Sequence, residues 1–357
     1  MIRDGSERAV PQAPGPLTVA QVVRSDGFAG VERYICQLSN GLAARGHRVV
    51  VIGGDPTRMR SELVGGVDHL AATTVARTAR ALVARRGVDV VHAHMTAAET
   101  AAWLAHPVQR VPIVATRHFA DDRGSSAPAR LVARVVARSI AVDIAISRFV
   151  ADTVTGPSVL IPNGVPDRQQ APLAAPTVVM LQRLTEEKAP ELGLEAWARS
   201  GLAARHWRLV VAGRGDRLDS LVAAADRLGV TGSVEFAGLV ADTDGLLAGS
   251  SIVLATAPRE PFGLSVVEAM AHGVPVVAAA GGAHLETVAT AGMLFPAGDA
   301  AAAARALVEL ASSRTRRLEV GAALRRRQQT HYSLGDHVTR LEQVYAEVTS
   351  GLPVSPG

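Results

Sequence analysis

Short apolar segments of strand length recur along this 357-residue chain in two series, with helical stretches between them. The first series runs from LTVAQVV (17–23) to SVLIPNG (158–164), and the second from TVVMLQR (177–183) to VPVVAAA (274–280). Strands that are apolar on both faces are typical of parallel sheets whose two sides are covered by helices. The pattern therefore predicts an α/β protein with two doubly wound parallel-sheet domains side by side.

The break between the two series sets the predicted domain boundaries. They are a flexible leader at 1–16, an N-terminal domain at 17–166, a linker at 167–176, a C-terminal domain at 177–332, a helix at 333–350 and a tail at 351–357. The last helix either caps the second domain or returns to the first. Ligands of such sheets bind beyond the carboxyl ends of the strands, so two facing domains would form a binding cleft between them.

Charge and cysteine content narrow the class of protein. The net charge is +4, which suits anionic ligands, and aromatic residues make up only 3%, too few for a single-strand nucleic-acid stacking surface. The single cysteine, Cys36, allows no disulfide within the chain and indicates a reducing compartment. No secretion signal or membrane-spanning run is visible. These features predict a cytoplasmic protein and leave peripheral contact with the inner face of the membrane open.

The segment 257–288 carries two carboxylates, Glu260 and Glu268, on either side of a strand-to-helix turn. The helix is predicted to begin near Gly263, so that the amides of Gly263 and Leu264 are unpaired and form an anion site. Glu268, farther along the helix, can accept hydrogen bonds from a ribose diol, and Glu260 can reach a sugar. The alternative is that Glu260 only caps the turn and Glu268 is exposed.

Arg183 and Lys188 follow the first strand of the second series. Two cations in such a loop can neutralise the two phosphates of a nucleoside diphosphate. Both could instead be solvated surface charges. Lys188 is, however, the only lysine of a chain that otherwise uses arginine, which favours a specific role.

Glycines follow other strands. Gly27 and Gly30 lie after the first strand, just before a predicted helix, and permit close approach of a ligand to the backbone. Gly213 and Gly215 occur in VVAGRGD (210–216). Neither loop matches the glycine spacing of a dinucleotide site.

Histidines end two strands, at His92 and His94 and at His118. The alternation of His92 and His94 could suggest a metal, but no third ligand follows at helical spacing, so no metal is expected. His118 is placed to hydrogen-bond a sugar, although a structural role is the alternative.

The segment 123–140 contains a basic amphipathic helix. Arg130, Arg134 and Arg138 recur at helical spacing, and the other face carries apolar residues, namely Leu131, Val132, Val135 and Val136. Such a helix can lie on an anionic lipid surface. The alternative is a surface helix whose apolar face lies in the core.

Taken together, these motifs resemble the retaining glycosyltransferases of family 4, which have the GT-B fold of two facing Rossmann-like domains. The resemblance covers about Leu17 to Ser350. Its most specific part is Glu260 and Glu268 with Phe262-Gly263-Leu264 between them, preceded by Arg183 and Lys188. Gly-x-Glu-Arg at 30–33, Thr-Arg-His at 116–118 and Ile-Pro-Asn-Gly-Val at 161–165 agree in order and spacing.

The resemblance implies roles for matching residues. The catalytic set would be His118, Arg183, Lys188 and Glu260. The donor-binding set would be Gly30, Arg183, Lys188, Gly213, Phe262, Gly263, Leu264 and Glu268. The two cations match the diphosphate-binding pair of the family, and Glu268 matches the carboxylate on the nucleotide ribose. Glu260 and the three amides of Phe262, Gly263 and Leu264 match contacts to the transferred sugar and the distal phosphate, His118 matches a histidine near the 6-position of the sugar, and Gly30 lies by the diphosphate and acceptor.

Two positions depart from the family pattern. Pro261 replaces the glycine of the usual Glu-Gly-Phe-Gly, and Ala29 replaces the first glycine of the first loop, which could limit approach of the backbone to the ligand.

The resemblance implies a retaining glycosyltransferase that moves a hexosyl-type sugar from a UDP- or GDP-linked donor to an acceptor hydroxyl. The donor would be a co-substrate, with no cofactor or metal, and the reaction would proceed on the front face of the sugar. The acceptor could be lipid-linked, a saccharide or a small natural product. A nucleotide-sugar epimerase on the same fold is the alternative, and a non-catalytic basic nucleic-acid-binding protein is a weaker one, since no recognition motif is present.

Overall fold

The computed structural model describes residues 15–121, 123–124, 126–352 and 354. The predicted leader (1–16) lies outside these residues except for its last two, and most of the predicted tail (351–357) lies outside them too. Within the described part of the chain, no helix combines the length and apolar character needed to cross a membrane.

The N-terminal domain is built on a parallel sheet of seven strands. They are β1 (Thr18–Val23), β2 (Arg48–Ile52), β3 (Val67–Leu70), β4 (Val90–His94), β5 (Ile113–Arg117), β6 (Ile140–Ala145) and β7 (Ser158–Leu160). The strand order is β3-β2-β1-β4-β5-β6-β7, and every pairing is parallel. Its helices are α1 (Gly30–Ala44), α2 (Pro56–Glu62), α3 (Val75–Ala84), α4 (Thr96–Gln109), α5 (Ala127–Ala137) and α6 (Arg148–Ala151). Separate apolar cores cover the two faces of the sheet.

The C-terminal domain repeats the architecture with six parallel strands. They are β8 (Thr177–Leu181), β9 (Arg208–Ala212), β10 (Val234–Gly238), β11 (Ile252–Ala255), β12 (Val276–Ala280) and β13 (Met293–Pro296), in the order β10-β9-β8-β11-β12-β13. Its helices are α7 (Pro190–Ser200), α8 (Leu218–Arg227), α9 (Thr243–Ala248), α10 (Leu264–Ala271), α11 (His284–Thr287), α12 (Ala300–Ser312) and α13 (Arg314–His331). The predicted α/β class with two doubly wound domains, the GT-B arrangement, is confirmed.

The strand pattern missed β3 and β13. Both lie at the edge of their sheet, and most of their residues are only partly buried. Strand β3 contains Asp68 and His69 and so lacks the apolar run by which the other strands were predicted. Strand β13 is apolar but only four residues long, and so short a run does not distinguish a strand from part of a helix.

The last helix, α14 (Leu334–Thr349), lies on the N-terminal domain. Val338, Leu341 and Tyr345 are buried in the core that α1 shares with the sheet. The two helices cross closely at Gly41, where a Cβ would lie 2.8 Å from Cγ2 of Val338. The chain thus returns to its first domain after completing the second, and the final helix contributes side chains to the N-terminal interior.

Residues 167–176, which were predicted to form a linker, connect the two domains and pack against the C-terminal one. Ala171 and Leu173 are buried with the C-terminal core, and the Ala171 amide donates to the carbonyl of His272 over 2.8 Å. The segment is therefore part of the C-terminal domain surface rather than a free tether.

Candidate active site

Two helix N-termini from different domains face each other in the cleft. Helix α1 starts at Gly30 after strand β1, and α10 starts at Leu264 after strand β11. A Cβ built on Gly30 would lie 3.7 Å from Cδ2 of Leu264, so the two first turns meet across the cleft. Amides of a first helical turn have no acceptor within their own helix and carry partial positive charge. The arrangement is therefore suited to an anionic group.

A second side-chain link crosses the same cleft beside these turns. Arg33 of α1 lies with its Nη1 3.8 Å from Oε1 of Glu268 on α10, and it hydrogen-bonds the Thr243 hydroxyl of α9. On its own side, Glu32 accepts hydrogen bonds from the Ser25 hydroxyl (2.6 Å) and the Ala29 amide (2.9 Å). Glu32 thereby holds the loop that leads into α1.

Glu260 and Lys188 form the tightest ion pair of the predicted site. Lys188 Nζ lies 2.6 Å from Glu260 Oε2, with 12% and 13% of the two side chains exposed. Burial alone would raise the pKa of Glu260, but the ammonium of Lys188, together with His284 and backbone amides, lowers it below its ordinary value. The Glu260 carboxylate is therefore ionised, and it holds the side chain of Lys188 in the cleft.

The Gly263 amide is paired, contrary to the prediction from sequence. We predicted it to be unpaired, yet it donates to Oε1 of Glu260 over 3.2 Å, and the Phe262 amide also hydrogen-bonds this carboxylate. Glu260 thus caps the turn, as the alternative interpretation had it, while also pairing with Lys188. The amide of Leu264 remains as a first-turn donor.

The backbone at Lys188 is fixed to two strand ends. Lys188 ends a 3-10 turn (Glu186–Lys188), and its carbonyl accepts from the Thr256 hydroxyl (2.7 Å) and from Gln182 Nε2 (3.1 Å). Gln182 follows β8 and Thr256 follows β11, the two strands between which the order of the sheet reverses. The only lysine of the chain is therefore positioned at the switch point, where doubly wound sheets bind ligands.

Arg183 occupies a different environment from Lys188. About half of its side chain is exposed, and Nη2 lies 3.0 Å from Oε1 of Glu187. Its guanidinium carbon lies 5.9 Å from the ring centroid of Phe119, the neighbour of His118 in the other domain. Arg183 thus lies at the mouth of the cleft, opposite the predicted histidine.

Glu268 is buried, so the alternative of an exposed carboxylate is wrong. Burial raises its pKa to about 7; Arg33 opposes this rise, and the negative charge of Asp244 adds to it. Asp244 is in turn held by Arg168 (2.8 Å) and by Nε2 of His272 (3.2 Å). This surrounding cluster was not predicted from sequence, although Arg33 belongs to the Gly-x-Glu-Arg motif at 30–33.

His118 lies directly after β5 and is buried. Its Nε2 is 3.1 Å from Nδ1 of His94, and burial lowers its pKa to about 3, so the ring is neutral. His92 and His94 are hydrogen-bonded at both ring nitrogens. Neither has a nitrogen left for a metal, and among the described residues no cluster of three or more metal-ligating side chains is present.

Packing explains the residue type at two predicted donor-binding positions, Gly213 and Phe262. Gly213 has a φ of +146°, and a Cβ there would lie 1.8 Å from the carbonyl oxygen of Gln182. The ring of Phe262 is buried against Tyr332, with ring centroids 5.8 Å apart. Only the backbone of Phe262 is therefore available to a ligand.

Helix α5 carries its apolar residues outward. Leu131, Val132 and Val135 are 65%, 46% and 43% exposed, whereas Ala133 and Val136 are buried. The interpretation that the apolar face lies in the core is therefore wrong for the first three. The neighbouring helix α4 adds Leu104 and Val108, which are also exposed. Arg130, Arg134 and Arg138 flank this face, and all three are exposed or partly exposed.

Comparison with known families assigns the two halves separately. Residues 28–169 match the family described as Glycosyltransferase Family 4, and residues 166–327 match Glycosyl transferases group 1. The two matches meet between the two sheets, and each covers most of one doubly wound domain.

Individual relatives agree with the family matches. A phosphatidyl-myo-inositol mannosyltransferase of Mycobacterium leprae is 30% identical over 362 residues, which cover 91% of this chain and 95% of that protein. A D-inositol 3-phosphate glycosyltransferase of Mycobacterium tuberculosis is 32% identical over 232 residues, covering 54% of this chain and 47% of that one. Among solved structures, Anabaena Alr3699/HepE in complex with UDP and glucose superposes with a TM-score of 0.80 at 20% identity, covering 94% of this chain and all of that one.

Proposed function

The chain belongs to glycosyltransferase family 4, and we propose that it transfers a hexosyl-type sugar from a UDP- or GDP-linked donor to an acceptor hydroxyl with retention of configuration. The observation that carries this proposal is the meeting of two helix N-termini, at Gly30 and Leu264, beside Lys188 and Arg183. Positive groups concentrated in one cleft fit the diphosphate of a nucleotide-sugar. The related Anabaena structure was solved with UDP and glucose, which supports the same donor class.

Each part of the donor has a chemical partner in this proposal. The diphosphate lies at the first turn of α10 with Lys188 and Arg183, and the ribose diol donates to the Glu268 carboxylate. The transferred sugar lies between Glu260 and His118, one from each domain. The charge that develops on the leaving diphosphate is then neutralised by protein cations and helix termini, with no metal required.

The pairing of Glu260 favours transfer on the front face of the sugar. A double displacement needs a free carboxylate nucleophile, and Glu260 already shares one oxygen with Lys188 and the other with the Gly263 amide. In our proposal the bond from the anomeric carbon to the phosphate oxygen breaks first, and its electron pair stays on the diphosphate. The acceptor oxygen attacks from the same side and its proton passes to a leaving phosphate oxygen.

Thermal unfolding with a panel of nucleotides tests the donor site first. We expect UDP or GDP at about 100 times its dissociation constant to stabilise the folded protein by about 2.7 kcal/mol, and a chelator to leave this gain unchanged. Absence of any shift across UDP, GDP and their sugars would overturn the proposal.

Two assays on the same purified protein distinguish the alternative functions. An epimer formed from nucleotide-sugar alone, with no acceptor, would identify the epimerase. Salt-sensitive DNA binding without nucleotide affinity would identify the nucleic-acid-binding protein.

Nucleotide affinity should rise with pH through the titration of Glu268. The pKa of this carboxyl is about 7 because the group is buried, whereas a ribose diol binds best to the ionised form. The proton must therefore leave on binding, and affinity should increase from about pH 6 to about pH 8 and then level off. For the unbound protein the sign is opposite: the raised pKa makes the free energy of unfolding fall as the pH rises from about 4.5 to 7.

Calorimetric titration of UDP at several pH values measures the first effect. Glu268→Gln cannot ionise and should lose this component of the pH dependence, while the titration of the UDP phosphate itself remains in both proteins. Equal slopes for the two proteins would contradict the assignment of Glu268 to the ribose.

We also propose that the exposed face of α5 contacts an anionic membrane from the cytoplasmic side. Three large apolar side chains are exposed beside three arginines, and the helix contains no acidic residue. Apolar insertion together with attraction to anionic headgroups is how interfacial helices bind. Of the three acceptor classes, this surface favours a lipid-linked one.

Co-sedimentation with phosphatidylglycerol-containing vesicles tests the membrane contact. We expect the double variant Leu131→Asp, Val135→Asp to bind at least about tenfold more weakly, since two apolar anchors are lost. Val222→Asp, an equally exposed position on α8 of the other domain, is the matched control and should bind like the unchanged protein. Equal binding by all three proteins would exclude α5 as the contact.

A further inference from the structure

The residues that begin helix α6 of the N-terminal domain contact the turn that carries Glu260 in the C-terminal domain. The hydroxyl of Ser147, a buried residue, donates to the carbonyl oxygen of Pro261 over 2.6 Å. Its one hydrogen must go to Pro261, because its other partner, the Val150 amide at 3.1 Å, can only donate. A side chain of one domain thus holds a backbone group of the other, directly after Glu260.

A second link joins the same two places through helix α11. The Glu286 carboxylate accepts from the first-turn amides of α6, at Arg148 (3.2 Å) and Phe149 (3.3 Å), which have no acceptor within that helix. Just before α11, the Ala283 amide donates to the carbonyl oxygen of Glu260 over 2.7 Å. The segment that contains α11 therefore contacts both α6 and the backbone of Glu260.

The Ser147 hydrogen bond sets the orientation of one peptide group. The proline ring fixes φ of Pro261, so ψ alone decides where its carbonyl points. The Pro261–Phe262 peptide bond is trans and planar, and the N–H of Phe262 therefore points away from Ser147. This amide is one of the three that the family resemblance assigns to the distal phosphate and the transferred sugar. Ser147 thus orients, from the other domain, an amide of the implied donor site.

We propose that these two links, the α6 contact of Ser147 and Glu286, position the turn 260–263 for the distal phosphate and sugar of the donor. Both are positioning residues, since they act on the donor only through this turn. The ribose is assigned to Glu268 of α10 and does not depend on the α6 contact. The sugar end of the site is therefore complete only while the two domains are packed together at α6, and the nucleoside end is complete without that packing.

Amide hydrogen exchange in the unliganded protein tests the α6 contact without any donor. We expect Ser147→Ala to speed exchange at Gly263, whose amide is paired with Glu260, by about fivefold, because the turn loses one hydrogen bond. Glu286→Ala removes the second link and should act in the same direction. Since both residues hold one contact between domains, the double variant should show less than the product of the two single effects.

Ser313→Ala is the matched control for the loss of a helix cap. Ser313 caps α13 by accepting from the Arg316 amide at 3.2 Å, within the C-terminal domain. Its loss should lower stability but leave exchange at Gly263 unchanged. Ser147→Thr keeps the hydroxyl and should exchange like the unchanged protein. Unchanged exchange in every folded alanine variant of Ser147 and Glu286, or an equal increase in Ser313→Ala, would overturn the proposal.

The link to the donor rests on the proposed function and is measured by affinity. With the base found in the thermal experiment above, we expect Ser147→Ala to bind the nucleotide-sugar about tenfold more weakly. Its affinity for the nucleoside monophosphate should stay the same, because that ligand has neither the distal phosphate nor the sugar. A role in overall stability alone would not separate the two ligands.

The outcomes of the affinity experiment distinguish this inference from the proposed function. If the ratio of the two affinities were the same in Ser147→Ala and in the unchanged protein, the positioning of the sugar site would be refuted even if the exchange result stood. Absence of nucleotide binding by the unchanged protein would instead refute the proposed function.

Discussion

Lys188→Ala is expected to lower kcat by about 100- to 1,000-fold while the protein still folds. In our proposal Lys188 neutralises the charge that grows on the leaving diphosphate, and a preorganised charge of this kind acts in the transition state. The substitution also leaves the buried carboxylate of Glu260 without its partner at 2.6 Å. We therefore expect the free energy of unfolding to fall by about 3 kcal/mol, and the pKa of Glu260 to rise.

The double variant Lys188→Ala, Glu260→Gln separates the two effects. It removes the unpaired charge, so most of the lost stability should return while turnover stays low. Arg199→Ala is a control for loss of a cation, because its pair with Glu195 is on the surface, and it should change neither quantity appreciably. Steady-state kinetics measures the turnover of each variant, and urea unfolding measures its stability. Normal turnover in folded Lys188→Ala would refute the proposed role in charge stabilisation.

Gly213→Ala is expected to destabilise the protein by about 3 kcal/mol or more. Gly213 has a φ of +146°, which side chains rarely adopt, and the added Cβ would lie 1.8 Å from the carbonyl oxygen of Gln182. Gln182 immediately precedes Arg183 and contacts the Lys188 carbonyl, so the required shift would also displace the donor site.

Gly229→Ala is the matched control for this prediction. Gly229 also has a positive φ, +67°, but no atom lies within 4 Å of the added Cβ. It should lose only about 1 kcal/mol, the cost of the left-handed conformation. Urea unfolding of both variants gives the difference. If Gly213→Ala were as stable as Gly229→Ala yet failed to bind UDP, the donor-binding role that the resemblance implied would replace the packing explanation.

The site shows where prediction from sequence reached its limit. Lys188 was recognisable because it is the only lysine, and Glu260 because of its position in the motif. Their ion pair was not predicted, since the two residues are 72 positions apart and meet only when β8 and β11 become neighbours. The capped amide of Gly263 is a local contact three positions away, and the sequence left it open whether Glu260 caps this turn or reaches the sugar.

The contacts of the buried histidines lie still farther from what a sequence pattern can show. His92 and Tyr345 are 253 positions apart, and Tyr34 and His337 are 303 apart. The alternation of His92 with His94 was visible, but its meaning depends on a helix from the end of the chain. Without α14 the same two histidines could be weighed only as metal ligands or isolated core residues.

The amino-acid sequence by itself determined the α/β class, the two sheets and the family, because runs of apolar residues and local motifs encode strand and helix periodicity directly. Only the tertiary structure decided the return of α14 to the first domain, the outward direction of the apolar residues on α5 and the partners of each titratable side chain. These three features depend on which surfaces pack against each other, and that packing involves segments that are far apart in the sequence. The hydrogen bonds of His92 with Tyr345 and of Tyr34 with His337 are the clearest case, since each joins residues from the two ends of the chain.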